Sequence, residues 1–212
     1  MTAHAEAVRA AGGEGTAPAA HAASGPPGGV GIYTQKLGMW VFLASEVMFF
    51  TALIGSYIIL RWGAGNPWPD TRAVLNIPTT AVNTFILICS SVSMVKAYAA
   101  AVRDDQKHLK RWLLTTVVGG AIFVGVQVRE YIKLVHHGFL PSSGLFGATF
   151  YTMTGFHGFH VTCGVISMAW VTIRAFRGKY KGGNYHGIET IGLYWHFVDL
   201  VWIILFTIVY LV

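Results

Sequence analysis

In the stretch TGFHGFHVTCGVI (residues 154–166), His157 and His160 stand three residues apart within one of the most apolar parts of the chain. Helical i,i+3 spacing puts them on one side of a helix. Glu46 stands in a second apolar stretch, LGMWVFLASEVMFF, about ten residues or ~15 Å in at 1.5 Å per residue. His196 and Asp199, again three apart, stand in a third, which Glu189 opens. Gln127 and Glu130 lie together in QVREY, beside Arg129. Ionisable side chains in such surroundings are costly, so several at similar depth require an account.

Three chemistries compete for them. A His-x-x-His pair with carboxylates from other helices resembles a bundle metal site, but di-iron bundles use Glu-x-x-His on two helices, and this chain has no Glu-x-x-His. Haem finds no attachment sequence either. The structural alternative, which leads on physical grounds, has each imidazole bonding a carboxylate or carbonyl of a neighbouring helix. His157 or His160 would then join the fourth and fifth spans through Asp199 or Glu46, at about 0.6–2 kcal/mol per bond. Gly155, Gly158, Cys163 and Gly164 would let the backbones approach. The third alternative is proton handling, for which an intramembrane Glu with nearby His and Asp is a natural relay.

The elements that must position these groups follow from composition. The chain is 54% hydrophobic and only 11% charged, with mean hydropathy +0.53, against roughly 25% charged in an ordinary soluble protein. Five stretches are apolar over the ~20 residues that cross a bilayer: 37–60, 78–100, 112–135, 147–173 and 188–212. The fold class is therefore all-α integral membrane, with five transmembrane helices in one bundle over residues 36–212. Residues 1–35, rich in Ala, Gly and Pro, read as a disordered cytoplasmic tail; they lack the apolar core and basic start of a cleaved secretory signal, and their His4 and His21 read as solvated. Cys89 and Cys163 have no zinc or disulfide spacing and read as small apolar residues.

The net charge of +6 is distributed at span ends. With the tail inside, eleven Lys and Arg fall on the inner side (Arg9, Lys36, Lys96, Arg103, Lys107, Lys110, Arg111, Arg174, Arg177, Lys179, Lys181). Four fall outside: Arg61, Arg72, Arg129 and Lys133. That asymmetry places the N-terminus inside and the C-terminus outside, and the basic clusters read as anchors at anionic lipid, not as a nucleic-acid surface.

Four segments in order, LGMWVFLASEVMFF, QVREY, TGFHGFHVTCGVI and HGIETIGLYWHFVDLVWIILF, resemble subunit III of the haem–copper oxidases, of the cytochrome c oxidase type. The resemblance runs from residue 36 to 212 and matches the short, five-helix bacterial form, since no apolar segment precedes residue 37. It implies a non-redox subunit without an active site of its own, which stabilises subunit I and supports its proton uptake. The parent complex would be an aa3-type cytochrome c oxidase, a respiratory-chain enzyme that reduces oxygen to water and pumps protons in the bacterial cytoplasmic (inner) membrane. Haem a and copper would reside in partner subunits, and this chain would bind no metal. Its neighbours would be subunit I, subunit II, a small subunit IV in some complexes, and phospholipid, with cytochrome c as electron donor to the complex.

Residue by residue, the resemblance implies that Glu46 matches a buried, carbodiimide-reactive glutamate. Gln127, Glu130 and Tyr131 fall on the family's QxxEY positions, and His157 and His160 on its His-Gly-x-His. Glu189, Trp195, His196 and Asp199 match its last-helix signature, and Arg174 stands where the family has a lipid-headgroup arginine. The same motifs fit subunit III of a quinol oxidase, or a related nitric oxide reductase accessory protein; a stand-alone transporter ranks lower, because the five spans lack broken helices and internal symmetry. Replacing His157 or His160 by Phe is expected to loosen the packing of spans four and five and to leave the haem spectrum unchanged.

Overall fold

The computed structural model describes residues 33–63, 68, 75–182 and 185–211. The expected tail lies almost wholly outside these residues, as do Arg9 and Arg72. Five helices are long and apolar enough to cross a membrane: α1 (Thr34–Gly63), α2 (Ile77–Val102), α3 (Gln106–His136), α4 (Leu145–Phe176) and α5 (His186–Phe206). The π-helical turn Thr207–Leu211 continues α5. α1 to α4 run past the apolar spans that the sequence marks at both ends, α5 begins two residues before its span, and α1 takes up Thr34 and Gln35. Helical hydrogen bonding continues past the hydrocarbon boundary until a cap or a turn stops it.

Those stops are local chemistry. Asn76 caps α2, its Oδ1 accepting from the Thr79 amide, and a proline sits in the first helical turn. The α2–α3 connection is only Arg103–Asp105. Asp104 turns it with φ 55°, a left-handed conformation that Asp tolerates better than most residues. Asp105 then caps α3, accepting from the His108 amide at 3.1 Å and facing the His108 ring at 2.6 Å. These bonds from His108 hold its carboxyl below the usual range. So short a turn obliges α2 and α3 to lie antiparallel. Gly178, at φ 71°, ends α4 in the same left-handed region.

α2, α3, α4 and α5 each pack on two of the others and close a four-helix ring, while α1 lies outside it against α4 and α5. Polar contacts give the directions. Ser90, Ser91 and Thr84 of α2 meet Trp195, His196 and Trp202 of α5, so numbers fall on one helix as they rise on the other. α1 runs antiparallel to α4, with Glu46 beside His160 and Phe50 beside His157. It runs parallel to α5, with Lys36 beside Glu189 and Phe50 beside Phe197. One end of the bundle, here the Lys36 face, therefore carries the start of α1, the α2–α3 turn and the α4–α5 connection. The opposite end, the Glu130 face, carries the α3–α4 connection.

Two tight contacts set the spacing in the ring. The Trp195 indole is wedged between Gly120 of α3 and Gly164 of α4, where a Cβ would come within 2.6 Å and 3.0 Å of the ring. Gly158 lets the Gln127 amide lie across α4. Gly155, expected to serve the same purpose, faces open space. Only Leu43, Phe50 and Tyr57 of α1 are buried, spaced by seven residues, about two turns, on the stripe that meets α4 and α5. Elsewhere the bundle exposes large apolar side chains, as a surface meeting lipid or another membrane chain does.

Candidate functional site

The polar side chains gather in three places. The first lies between α1 and α4. His160 Nε2 is 3.0 Å from Glu46 Oε2, and its Nδ1 is 2.7 Å from the Phe156 carbonyl oxygen. Both side chains are largely enclosed, 13% and 17% exposed, beside the rings of Phe49, Phe50 and Phe159. A carbonyl can only accept, so Nδ1 carries a hydrogen. Nε2 is therefore the ring nitrogen that faces the Glu46 carboxyl group. The ring is not aimed along an ideal hydrogen-bond line at Oε2, so the contact is a close polar pair, not an aligned bond.

His157 sits one turn away in different surroundings. It is fully buried, its ring stacked on Trp202 at 4.8 Å with Phe123 and Phe50 at its edges. Neither ring nitrogen has a hydrogen-bond partner. Of the pairings expected through His157 or His160 with Asp199 or Glu46, the structure shows His160 with Glu46, which ties span four to span one and not to span five, and it gives His157 no polar partner. His160 meets α1, and His157 fits into the ring interior by shape and stacking. The spans are joined instead by Tyr194, whose hydroxyl donates to the His160 carbonyl at 2.9 Å.

The second gathering is the α2–α5 seam. Ser91 Oγ meets His196 Nδ1 at 2.6 Å, Trp195 Nε1 donates to Ser90 Oγ at 3.1 Å, and Trp202 Nε1 donates to Thr84 Oγ1 at 2.9 Å. Asp199, buried one turn beyond His196, leaves Oδ1 without a partner. The sequence reading named Trp195, His196 and Asp199 of α5 but neither Trp202 nor the α2 partners. A partial signal was present: Thr84, Ser90 and Ser91 lie within about two turns of α2, as their partners Trp202, Trp195 and His196 do on α5.

The third gathering is at the α3–α4 contact. Gln127 Nε2 donates to the Thr154 carbonyl at 3.2 Å and Tyr131 donates to Thr154 Oγ1 at 2.6 Å. Glu130 pairs with Lys133 at 3.1 Å. Separately, at the Lys36 face, Glu189 accepts from Lys36 at 2.6 Å and from Tyr33 at 3.0 Å, tying the first turn of α1 to α5. Arg174 lies beside the ring of the buried Tyr180, 6.0 Å from its centroid.

The structure thus brings Glu46 and His160 together and keeps His157, His196 with Asp199, Gln127 with Glu130, and Glu189 in separate places. Among the described residues no three His, Cys, Asp or Glu side chains converge. What the geometry offers is a close pairing of two titratable side chains, Glu46 and His160, within the spans.

Comparison with known proteins bears on what such a bundle belongs to. The family described as "Cytochrome c oxidase subunit III" matches residues 19–212. A protein of Mycobacterium tuberculosis named "Probable cytochrome c oxidase subunit 3" is 38% identical over 177 residues, 84% of this chain and 87% of that one. The "Cytochrome c oxidase subunit 3" of Thermostichus vulcanus is 40% identical over 180 residues, with the same coverage of each chain. A protein of Nocardia farcinica, again a "Probable cytochrome c oxidase subunit 3", is 38% identical over 177 residues.

Proposed function

The chain belongs to the cytochrome c oxidase subunit III family, and from that membership we propose that it is the non-redox subunit of an aa3-type cytochrome c oxidase, stabilising subunit I and supporting its proton uptake. Cytochrome c oxidase is a haem–copper oxidoreductase, and the relatives' names favour cytochrome c over quinol as the donor to the complex. Haem a and copper belong to the neighbouring subunits in this reading, and this chain holds no metal. Its place is the bacterial cytoplasmic membrane, crossed five times, with the Lys36 face inside. Ten of the basic residues of the described segments support that orientation: Lys36, Lys96, Arg103, Lys107, Lys110, Arg111, Arg174, Arg177, Lys179 and Lys181 cluster towards that face, against Arg61, Arg129 and Lys133 towards the other.

The observation that carries the reading is the Glu46–His160 pair. It is a protonatable couple among phenylalanines, in a bundle where Ser90, Thr84, Gln127 and Tyr131 serve helix contacts instead. Glu46 and His160 hold a proton close to the surface between α1 and α4. Phospholipid fills the apolar grooves, with Arg174 at the headgroup level of α4. Glu46→Gln keeps the shape and removes the titratable oxygen. In the purified complex it is expected to leave haem content and the initial oxygen-consumption rate near wild type, and to lower proton-pumping efficiency or shorten the turnover lifetime. Unaltered pumping and lifetime would make Glu46 a packing residue and remove the proton role.

A further inference from the structure

We infer that the four-helix ring holds a hydrated polar pocket near its Glu130 face, whose ligand is water and whose inner wall is Asn83, Gln127 and Tyr210. A cavity there, lined also by Thr80, Glu130 and Tyr131, has about 20 Å³ of room for water centres, against roughly 10–15 Å³ that a single water requires.

The donors and acceptors around it do not balance within the chain. Asn83 Nδ2 donates to the Phe123 carbonyl at 3.1 Å and Gln127 Nε2 to the Thr154 carbonyl at 3.2 Å. Both amides are thereby fixed in orientation, because a flip would set oxygen against oxygen. Their carbonyl oxygens, Asn83 Oδ1 and Gln127 Oε1, are buried with no partner. Two of the neighbouring hydroxyls are already spent: Thr80 donates to the Asn76 carbonyl at 3.1 Å, and Tyr131 donates to Thr154 at 2.6 Å; the third, Tyr210, lies against Thr80 and can serve at most one of the two orphan oxygens. Lipid tails offer no donor. A water does, and buried polar oxygens of this kind are where internal waters are found.

Access is built in. A wider, more open cavity at the Glu130 face shares Asn76, Glu130 and Leu134 with the first and continues to Lys133 and His137. The π-helical turn contributes the last wall. Its wider winding keeps both Val209 and Tyr210 buried at the end of α5, so the Tyr210 side chain lines the cavity. The pocket is independent of which oxidase the chain serves, since it rests on the ring interior alone.

The test is X-ray hydroxyl-radical footprinting of the purified complex, in which radiolysis of bound water oxidises side chains beside it. Tyr131 and Tyr210 are expected to be oxidised well above Tyr194, which is buried elsewhere and bonded to the His160 carbonyl. Asn83→Leu is expected to bring both down to the Tyr194 level. Gln127→Met, unbranched and of similar length, does the same if the leucine variant fails to assemble. Oxidation of Tyr131 and Tyr210 no greater than that of Tyr194 in the wild type would overturn the proposal, and so would full wild-type oxidation in the folded variants.

Discussion

His157 and His160 share a motif and a helix, yet the physics of the two rings is opposite. His160 faces a carboxyl group and is polar in its contacts; His157 is an imidazole used as a flat hydrophobic surface. Removing an unpaired buried polar group by an apolar isostere is close to neutral, whereas leaving an enclosed polar group without its partner costs about 1–3 kcal/mol. His157→Phe is therefore expected to change the unfolding free energy of the purified complex by less than about 1 kcal/mol. His160→Phe, which leaves Glu46 facing phenylalanines, should lower it by about 1–3 kcal/mol. Denaturant or thermal unfolding of both variants checks this, and equal losses would show that His157 has a polar partner after all. The sequence made both residues visible, because charged or polar types stand out in an apolar run. It could not separate them: at 100° per residue an i,i+3 pair diverges by about 60°, enough to send one side chain into the interior of the four-helix ring and the other towards α1.

Among the helices, close approach is decided at glycines, and the structure distinguishes those that matter. Gly120 and Gly164 hold the Trp195 indole between α3 and α4, while Gly125 and Gly155 face open space. A methyl group at Gly120 would need the tryptophan or Val165 to move by several tenths of an ångström in a filled interior. Gly120→Ala is expected to cost about 1–3 kcal/mol by overpacking. Gly125→Ala, on the same helix, is expected to be neutral or to gain up to about 1 kcal/mol from helix propensity. Unfolding followed by Trp fluorescence in mixed detergent measures both, and a destabilised Gly125→Ala would show a contact at that position that this ring does not provide. The existence of five helices was legible in the sequence because apolar runs of this length have few other uses. Which glycine is an interface was not, since small residues occur on lipid-facing and helix-facing sides alike and only the partner's bulk, here Trp195, tells them apart. The hydroxyl partners on α2 were obscured for a related reason: serine and threonine can bond their own helix backbone, as Thr84 does to the Thr80 carbonyl, so their presence alone names no neighbour.

On the scale of the whole molecule the bundle is unequal: a closed ring of four helices with a fifth laid against it. α1 buries a narrow stripe against α4 and α5, while Met48 is 76% and Trp62 83% exposed on its other sides. Its polar ties include the Glu46–His160 pair and the Lys36–Glu189 bridge at the Lys36 face. The bridge is partly open to solvent, 30% and 17% exposed at its two ends, and a bridge of that kind contributes no more than about 1 kcal/mol. Regions with few buried contacts open at lower free energy than the core they lean on. In the chain stripped of its neighbouring subunits, α1 amides are accordingly expected to exchange hydrogen before those of α2–α5, with the segment around Leu43, Phe50 and Tyr57 protected longest within α1. In the intact complex, a subunit or lipid packed over Met48 and Trp62 would close that difference. Hydrogen exchange read by mass spectrometry on both preparations tests the point. If α3 exchanged before α1 in the isolated chain, the ring would not be the stable unit, and α1 would have to be counted as part of the core that positions Glu46.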